Sequence, residues 1–228
     1  MHARVPIISF ASTKGGVGKT TLAFVAATEI ARRLSPSSQH GVACIDADPN
    51  GTLNSALQMA GYPNIRSLCS DAETLLPTLR DAQRDAEIVL IDLEGSANQA
   101  MLYACGKSDL VLIPAQPSAF DVREARRTAD VVSQAADLVG RQIEIRVVLT
   151  RTPVLRQRVA EHSRAQFTKA GLAVLPVELL HRTAFQAMTY TGKPPFEADP
   201  DGSAAANVTA LVDAVAAVIG LQVQRDAA

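Results

Sequence analysis

A short segment near the start of the chain combines glycines with two lysines and two threonines, residue types that together bind phosphate. Its residues are Lys14, Gly15, Gly16, Val17, Gly18, Lys19, Thr20 and Thr21. Glycines let backbone N–H groups approach phosphate oxygens without Cβ clashes. The Lys19 ammonium suits the β- and γ-phosphates of a nucleotide, and the Thr20 hydroxyl is a ligand for Mg²⁺. The chemistry that this segment predicts is binding and transfer of a terminal phosphate.

The sequence on either side of this segment predicts the elements that must position it. Residues 5–11 are an apolar run typical of a buried strand, and residues 20–34 are alanine-rich and typical of a helix. A strand, a glycine-rich loop and a helix in this order form a P-loop. The helix N-terminus adds unpaired N–H donors and the positive end of the helix dipole. We therefore predict that the segment binds the phosphates of a nucleotide.

Aspartates follow two further apolar runs. Residues 41–45 lead into Asp46 and Asp48, and residues 87–91 lead into Asp92. Ligands bind outside the carboxyl ends of the strands in open parallel sheets, so these acids are expected on the P-loop edge. Asp92 has the Walker B form, a buried strand that presents a carboxylate to Mg²⁺. The Asp-Pro-Asn-Gly sequence that starts at Asp48 is also favourable for a turn, and a turn without a catalytic role is the alternative.

The order Lys-Gly-Gly-x-Gly-Lys-Thr-Thr, which begins at Lys14, resembles the deviant Walker A motif of the ParA/MinD superfamily of ATPases. The resemblance implies that the nucleotide is ATP, and that Lys14 reaches across a dimer interface to the partner's nucleotide and acts there like an arginine finger. It implies that Asp48 orients and activates the attacking water. Asp46 would support the metal shell of Mg²⁺ beside Asp92 and Thr20. ATP binding and dimerisation would then be coupled.

The same resemblance assigns two less regular regions. Gly95 resembles the switch II glycine of the family, whose backbone N–H senses the γ-phosphate. Glu94 departs from the family pattern; we interpret it as a solvated side chain, and modulation of the switch by Glu94 is the alternative. The adenine pocket is expected near Thr150, Arg151 and Pro176.

The alternation of apolar strands and helical segments predicts an α/β fold with a mostly parallel twisted sheet and helices on both faces, of the deviant Walker A P-loop type. The 228 residues suit one ATPase domain over 1–228. Residues 172–175 are predicted as a late strand and residues 154–170 as a basic helix. The three cysteines form no Cys-x-x-Cys pair, so the sequence indicates neither a metal knuckle nor a disulfide framework. No signal pattern is present, and the expected location is the cytoplasm.

Basic residues are concentrated between residues 141 and 195, although the formal net charge is only −1. Those that we assign to DNA are Arg156, Arg158, Arg164 and Lys169. No aromatic residues interleave with them, so the binding is expected to be independent of sequence and steeply dependent on salt. A solvated helix with extended basic side chains is the alternative interpretation.

The resemblance is strongest to short plasmid partition ParA proteins, which lack an N-terminal helix-turn-helix domain. It implies an ATP-bound homodimer that binds DNA nonspecifically, associates with the nucleoid, and hydrolyses ATP when a centromere-binding partner stimulates it. Two alternatives stay open: an accessory ATPase of conjugative DNA transfer, and a metabolic enzyme of the dethiobiotin synthetase type. Residues 221–228 are short and weakly basic, so membrane attachment of the MinD type is not expected.

Overall fold

A computed structural model describes residues 4–34, 41–153 and 158–222. Within these ranges, seven parallel strands form a sheet in the order β3-β2-β4-β1-β5-β6-β7. The strands are β1 (Ile7–Phe10), β2 (Val42–Ala47), β3 (Ile65–Cys69), β4 (Ile88–Leu93), β5 (Leu110–Ala115), β6 (Glu144–Thr152) and β7 (Leu179–Leu180). The helices are α1 (Lys19–Arg33), α2 (Thr52–Ala60), α3 (Leu75–Ala82), α4 (Gln99–Lys107), α5 (Ala119–Val139), α6 (Arg158–Lys169), α7 (Thr183–Thr191), α8 (Pro195–Ala198) and α9 (Ser203–Ile219).

Helices cover both faces of the sheet, and this is why its central strands are apolar throughout. Successive side chains of a strand point to opposite faces. Ile8 and Phe10 of β1 pack with α1, α2, α7 and α9, whereas Ile7 packs on the other face with α3, α4, α5 and α6. The predicted α/β fold, with its mostly parallel sheet and its helices on both faces, is confirmed.

The structure differs from the sequence prediction at the sheet edges. The prediction of a strand at residues 172–175 is wrong, because this segment forms only one isolated parallel bridge, between Val147 and Val174. The edge strand of the sheet is β7 instead. Leu172 and Leu175 are buried in the cores on opposite faces of the sheet, and the Leu175 N–H donates to the Val147 carbonyl of β6 at 2.8 Å, so the pairing is limited to this one bridge. Strand β3 had not been predicted. The basic helix begins at Arg158 in the described part of the chain, and residues 154–157 lie outside it.

Helix α1, which starts at the P-loop, is fixed at its far end by a buried ionic network. Arg33 forms ion pairs with Glu29 at 2.9 Å and with Asp213 of α9 at 2.7 Å. Thr209 of α9 donates a hydrogen bond to Glu29 at 2.9 Å. Buried ion pairs of this kind fix geometry more than they add stability. The helix that carries Lys19 is therefore held in place relative to the sheet from both ends.

Across the ranges that the structure describes, no helix combines the length and the apolar character required to cross a membrane.

Candidate nucleotide-binding site

The P-loop connects the end of β1 to the start of α1, as the sequence predicts. Gly16 and Gly18 adopt φ values of 72° and 98°, which residues with a Cβ rarely take. The loop forms one wall of an open cleft of about 470 Å³. The residues lining it are Gly15, Gly16, Gly18, Lys19, Thr20, Thr21, Asp48, Asn50, Glu94, Gly95 and Arg151. Val17 is buried and lies outside the lining. The structure thus brings the P-loop together with Asp48, Glu94, Gly95 and Arg151 in one cleft.

Lys19 is buried at the first position of α1, with 7% of its surface exposed. Its Nζ lies 3.4 Å from the backbone carbonyl oxygen of Lys14. Burial lowers the pKa of Lys19, while the nearby carboxylates of Asp92, Asp48 and Glu94 act in the opposite direction. No acid within the described ranges lies within ion-pair distance of this ammonium. The charge of Lys19 is thus available to a phosphate group in the cleft.

Asp92 lies near the end of β4, beside Asp46 of β2 in the sheet register, and is 1% exposed. Neither of its carboxylate oxygens meets hydrogen-bond geometry with any group in the described part of the chain. Burial raises the pKa of Asp92 to about 7, and the Thr20 hydroxyl and Lys19 lower it only in part. A buried carboxylate without a partner is costly unless it binds a cation. Asp92 and Thr20 therefore fit a Mg²⁺ ion.

Asp46 and Asp48 differ in what their oxygens contact. Asp46 is buried and accepts hydrogen bonds from the backbone N–H groups of Asp48 at 3.1 Å and Asn54 at 2.8 Å. Asp48 is half-buried and accepts from the backbone and side chain of Asn50 at 2.9 and 2.8 Å. The loop does contain a turn, closed by the Gly51 N–H on the Asp48 carbonyl, yet Asp48 also lines the cleft. Asp46 thus orders the loop that holds Asp48.

Helix α5 holds the start of the P-loop, a contact that the sequence reasoning missed. Lys14 Nζ lies 2.9 Å from Oδ2 of Asp121, which is buried at the first turn of α5. The Thr13 N–H donates to Thr128 at 3.1 Å, and its hydroxyl donates to Glu124 at 3.0 Å. In this structure Lys14 is thus paired within its own chain. The one sequence signal was the capping-box spacing of Ser118 and Asp121 at the start of the helix.

The loop after β4 packs directly on the P-loop. A Cβ placed on Gly95 would lie 3.0 Å from the backbone of Gly15 and 3.2 Å from Lys19 Nζ, so only glycine fits without displacement. Glu94, interpreted from sequence as solvated, is instead half-buried. It accepts hydrogen bonds from Ser96 at 3.2 Å and Asn98 at 3.0 Å. Asn98 also caps α4 through the Met101 N–H.

A smaller cavity of about 200 Å³ adjoins the cleft, in the region where the adenine pocket is expected. Thr150 and Arg151 line it together with residues 179–182 of the β7 segment. Thr150 is buried and donates to the Val17 carbonyl at 2.7 Å, so it supports the P-loop from below. Pro176 is exposed and does not line this cavity.

The basic residues assigned to DNA differ in their exposure to solvent and in their pairing with other groups. Arg158 and Lys169 are exposed at the two ends of α6. Arg164 is half-buried and donates to the Leu175 carbonyl at 2.8 Å and to Glu178 at 2.9 Å. Arg156 lies outside the described residues. Two exposed basic positions of the four thus remain as a surface that phosphate can reach.

Known proteins are similar to this chain over most of its length. The family described as VirC1 protein matches residues 5–215 of the chain. Protein ParA of Rhizobium radiobacter is 31% identical over 191 residues, which are 82% of this chain and 84% of that protein. Maintenance of carboxysome distribution protein A of Halothiobacillus neapolitanus is 25% identical over 207 residues, 88% of this chain and 91% of that protein.

Solved structures share the fold. The cell division ATPase MinD of Pyrococcus furiosus has a TM-score of 0.76 at 18% identity, covering 94% of this chain and 99% of that one. The septum site-determining protein MinD of Pyrococcus horikoshii, complexed with Mg-ADP, has a TM-score of 0.74 at 17% identity over 95% and 98% of the two chains. At these identities the likeness establishes architecture alone.

Proposed function

Because the chain belongs to the VirC1 family, within the ParA/MinD superfamily of partition and positioning ATPases, we propose that it is a Mg²⁺-dependent ATPase of DNA partition. In the ATP-bound state it forms a homodimer that binds DNA without sequence preference. Hydrolysis, slow by itself and stimulated by a centromere-binding partner protein, releases the DNA. The observation that supports ATP hydrolysis best is the buried, unpartnered carboxylate of Asp92 beside Thr20 and Lys19.

Each residue of the cleft has a distinct role in this proposal. The backbone N–H groups of residues 15–21 and the Lys19 ammonium bind the β- and γ-phosphates. Asp92 and Thr20 hold Mg²⁺, with Asp46 behind them ordering the loop. When bound, the ion would neutralise charge on the terminal phosphates. Asp48 orients the attacking water, and the backbone N–H of Gly95, which lines the same cleft, senses the γ-phosphate.

Lys14 couples nucleotide binding to dimerisation. Its Nζ is paired with Asp121 in the single chain, and 37% of its side chain is exposed. A lysine this close to the P-loop can exchange an intramolecular carboxylate for the phosphate of a second subunit. Two lysines are then bound only when two chains face each other with ATP in both sites. Loss of the γ-phosphate removes that contact and loosens the dimer.

Nonspecific DNA binding is assigned to the exposed basic positions of α6 and α5. Arg158 and Lys169 lie on α6, and the exposed Arg123 lies on α5, which packs against α6. Each phosphate contact is weak alone, and a dimer doubles their number. The ATP-bound dimer therefore binds DNA at salt concentrations where the monomer does not. We place this function in a single domain spanning 1–228, in a cytoplasmic protein that is associated with the nucleoid when ATP is bound.

The first test measures ATP binding, ATP hydrolysis and oligomeric state with ATP, ADP or no nucleotide. We expect the parent chain to dimerise with Mg-ATP alone, and Lys14→Ala to bind nucleotide as a monomer. Lys107→Ala, an exposed lysine of α4, is the matched control and should dimerise normally. Lys14→Gln, which retains a hydrogen bond to Asp121, guards against a folding defect. Unchanged dimerisation of both Lys14 variants would overturn the assignment, as would rapid turnover that requires a small acceptor substrate.

The second test measures binding to duplex DNA across a salt series. The double variant Arg158→Ala with Lys169→Ala should weaken binding of the ATP-bound dimer about tenfold and reduce the salt dependence. The control is Arg80→Ala with Arg84→Ala, which removes the same charge from exposed positions on α3 and in the turn that follows it. Equal loss in both double variants would indicate a net-charge effect and would refute an α6 surface. Addition of a DNA-bound centromere-binding protein should then raise the ATPase rate of the parent chain.

A further inference from the structure

Arg151 has a strained backbone at the end of β6. Its φ is 53°, and it is the one non-glycine residue with a positive φ in the described ranges. The pairing of β6 with β7 is irregular between Thr150 and Thr152, on either side of it. Such irregularities often redirect a side chain next to a functional site. A left-handed conformation is costly for a residue with a Cβ and persists only where the surroundings impose it.

The neighbours of Arg151 impose this conformation. Thr150 and Thr152 are both buried, whereas Arg151 is exposed. The Thr150 hydroxyl is bound to the Val17 carbonyl at 2.7 Å, and the Thr152 carbonyl accepts the His181 N–H at 2.7 Å. The chain is thus fixed on both sides of Arg151, which leaves its side chain directed out of the sheet.

The position of Arg151 lies where two cavities meet. It lines the P-loop cleft of about 470 Å³ and the adjoining cavity of about 200 Å³, and Gly18 and Thr21 are shared by the same two linings. No hydrogen bond or ion pair occupies its guanidinium in the part of the chain that the structure describes. The positive charge of this guanidinium, at the mouth of a phosphate-binding loop, is therefore available to pair with an anionic ligand.

From this placement we propose that Arg151 is a nucleotide-positioning residue that binds the phosphate chain on its ribose side, at the α- and β-phosphates, and not the base. The proposal rests on the proposed ATPase function of the same cleft. A guanidinium matches phosphate oxygens with a fork of parallel N–H donors. Arg151 lies between the P-loop, where the terminal phosphates bind, and the cavity assigned to the base. The strained backbone places this cation where a regular strand would not.

The proposal predicts a pattern across nucleotides that a base contact would not produce. A bond to the α- and β-phosphates is made equally with ATP, ADP and GTP. Arg151→Gln should therefore weaken ATP and ADP about 10- to 100-fold each, the usual effect of losing a charge-assisted hydrogen bond. The ratio of ATP to GTP affinity should stay within about twofold of the parent ratio, since the base contacts are untouched.

The experiment is a titration of the full chain with these nucleotides in Mg²⁺ buffer, with Arg80→Gln as a control for loss of an exposed arginine outside the cleft. Arg151→Lys, which retains the charge without the fork, should recover part of the affinity. Arg151→Gly should also bind weakly, yet melt at or above the temperature of the parent chain, because glycine adopts this φ without strain.

Three outcomes would overturn the assignment. They are unchanged affinity in Arg151→Gln, a collapse of the ATP-to-GTP ratio, and a clear fall in the melting temperature of Arg151→Gly. A parent chain that binds neither ATP nor ADP would instead refute the proposed function itself, so the two failures are distinguishable.

Discussion

The ion pair between Lys14 and Asp121 makes a quantitative prediction about dimerisation. Asp121→Asn keeps the shape of the side chain and its hydrogen-bonding capacity toward the Gln116 N–H and the Ser118 hydroxyl. It removes the charge that holds Lys14 within its own chain. If Lys14 must leave Asp121 before it reaches a second subunit, this substitution should make the ATP-bound dimer tighter.

The magnitude follows from the burial of the two partners. The Asp121 side chain is 3% exposed, whereas that of Lys14 is 37% exposed. Such a pair lies between an exposed ion pair, worth about 1 kcal/mol or less, and a fully buried one, whose disruption costs about 3–5 kcal/mol. Taking about 1 kcal/mol for each chain gives about 2 kcal/mol for each dimer. At about 1.4 kcal/mol for each factor of ten, the dimer dissociation constant should fall about 30-fold.

Sedimentation velocity with a non-hydrolysable ATP analogue measures this constant over a concentration series. The matched control is Asp130→Asn, an exposed acid on the same helix that pairs with Arg126. Without nucleotide, both variants should stay monomeric. Asp130→Asn should melt near the temperature of the parent chain, and Asp121→Asn about 2–4 °C lower, because it loses a pair worth about 1 kcal/mol. If Asp121→Asn stays folded and dimerises equally or less well, the competition between Asp121 and a second subunit for Lys14 is refuted.

Two further predictions concern Asp92 and Gly95. Asp92→Asn should raise stability in Mg²⁺-free buffer by about 2–4 kcal/mol at pH 8, because it removes an ionised carboxylate whose pKa is raised by burial from 3.8 to about 7. Between these two values the folded chain binds the proton that the unfolded chain has lost, so the Asp92 contribution to stability falls as the pH rises to about 7 and is level above it. Urea unfolding at pH 5 and pH 8 checks this, and an advantage of the variant that does not grow with pH would contradict it. Gly95→Ala should weaken ATP binding at least tenfold, because its Cβ would meet the Gly15 backbone at 3.0 Å. Gly15→Ala, with nothing within 4 Å of its Cβ, should leave the melting temperature of the nucleotide-free chain unchanged, and a lower value would refute this steric account.

The sequence alone predicts those parts of the fold and the cleft that depend on residues close together in the chain. The P-loop is contiguous, and the rule that ligands bind at the carboxyl ends of parallel strands brought Asp46, Asp48 and Asp92 to the same edge. The structure brings Asp48 and the P-loop together in one cleft and leaves Asp92 buried next to Lys19. The chemical roles of these residues stay predictions, which the experiments above address.

The remaining features depend on contacts between distant residues. Asp121 is 107 residues from Lys14, and nothing in either local pattern indicates that they meet. Strand β3 was missed because its sequence, Ile-Arg-Ser-Leu-Cys, is half polar and lies at the sheet edge, where burial is incomplete. Arg164 looked available in a basic helix, but its partner Glu178 lies in the following segment. Burial and pairing of charged side chains are tertiary properties that periodicity does not encode.

The bond between Glu94 and Asn98 connects the floor of the cleft to the first turn of α4, and this offers a spectroscopic reporter. A γ-phosphate in the cleft brings negative charge towards the Glu94 carboxylate, whose Oε2 also accepts from Asn98. Displacement of that carboxylate changes the surroundings of the exposed Ala97 between them. A fluorophore on Ala97→Cys, in a chain whose exposed Cys69 is replaced by serine, would therefore distinguish ATP from ADP in real time. The nucleotide state of each cleft then becomes observable without DNA or a partner protein.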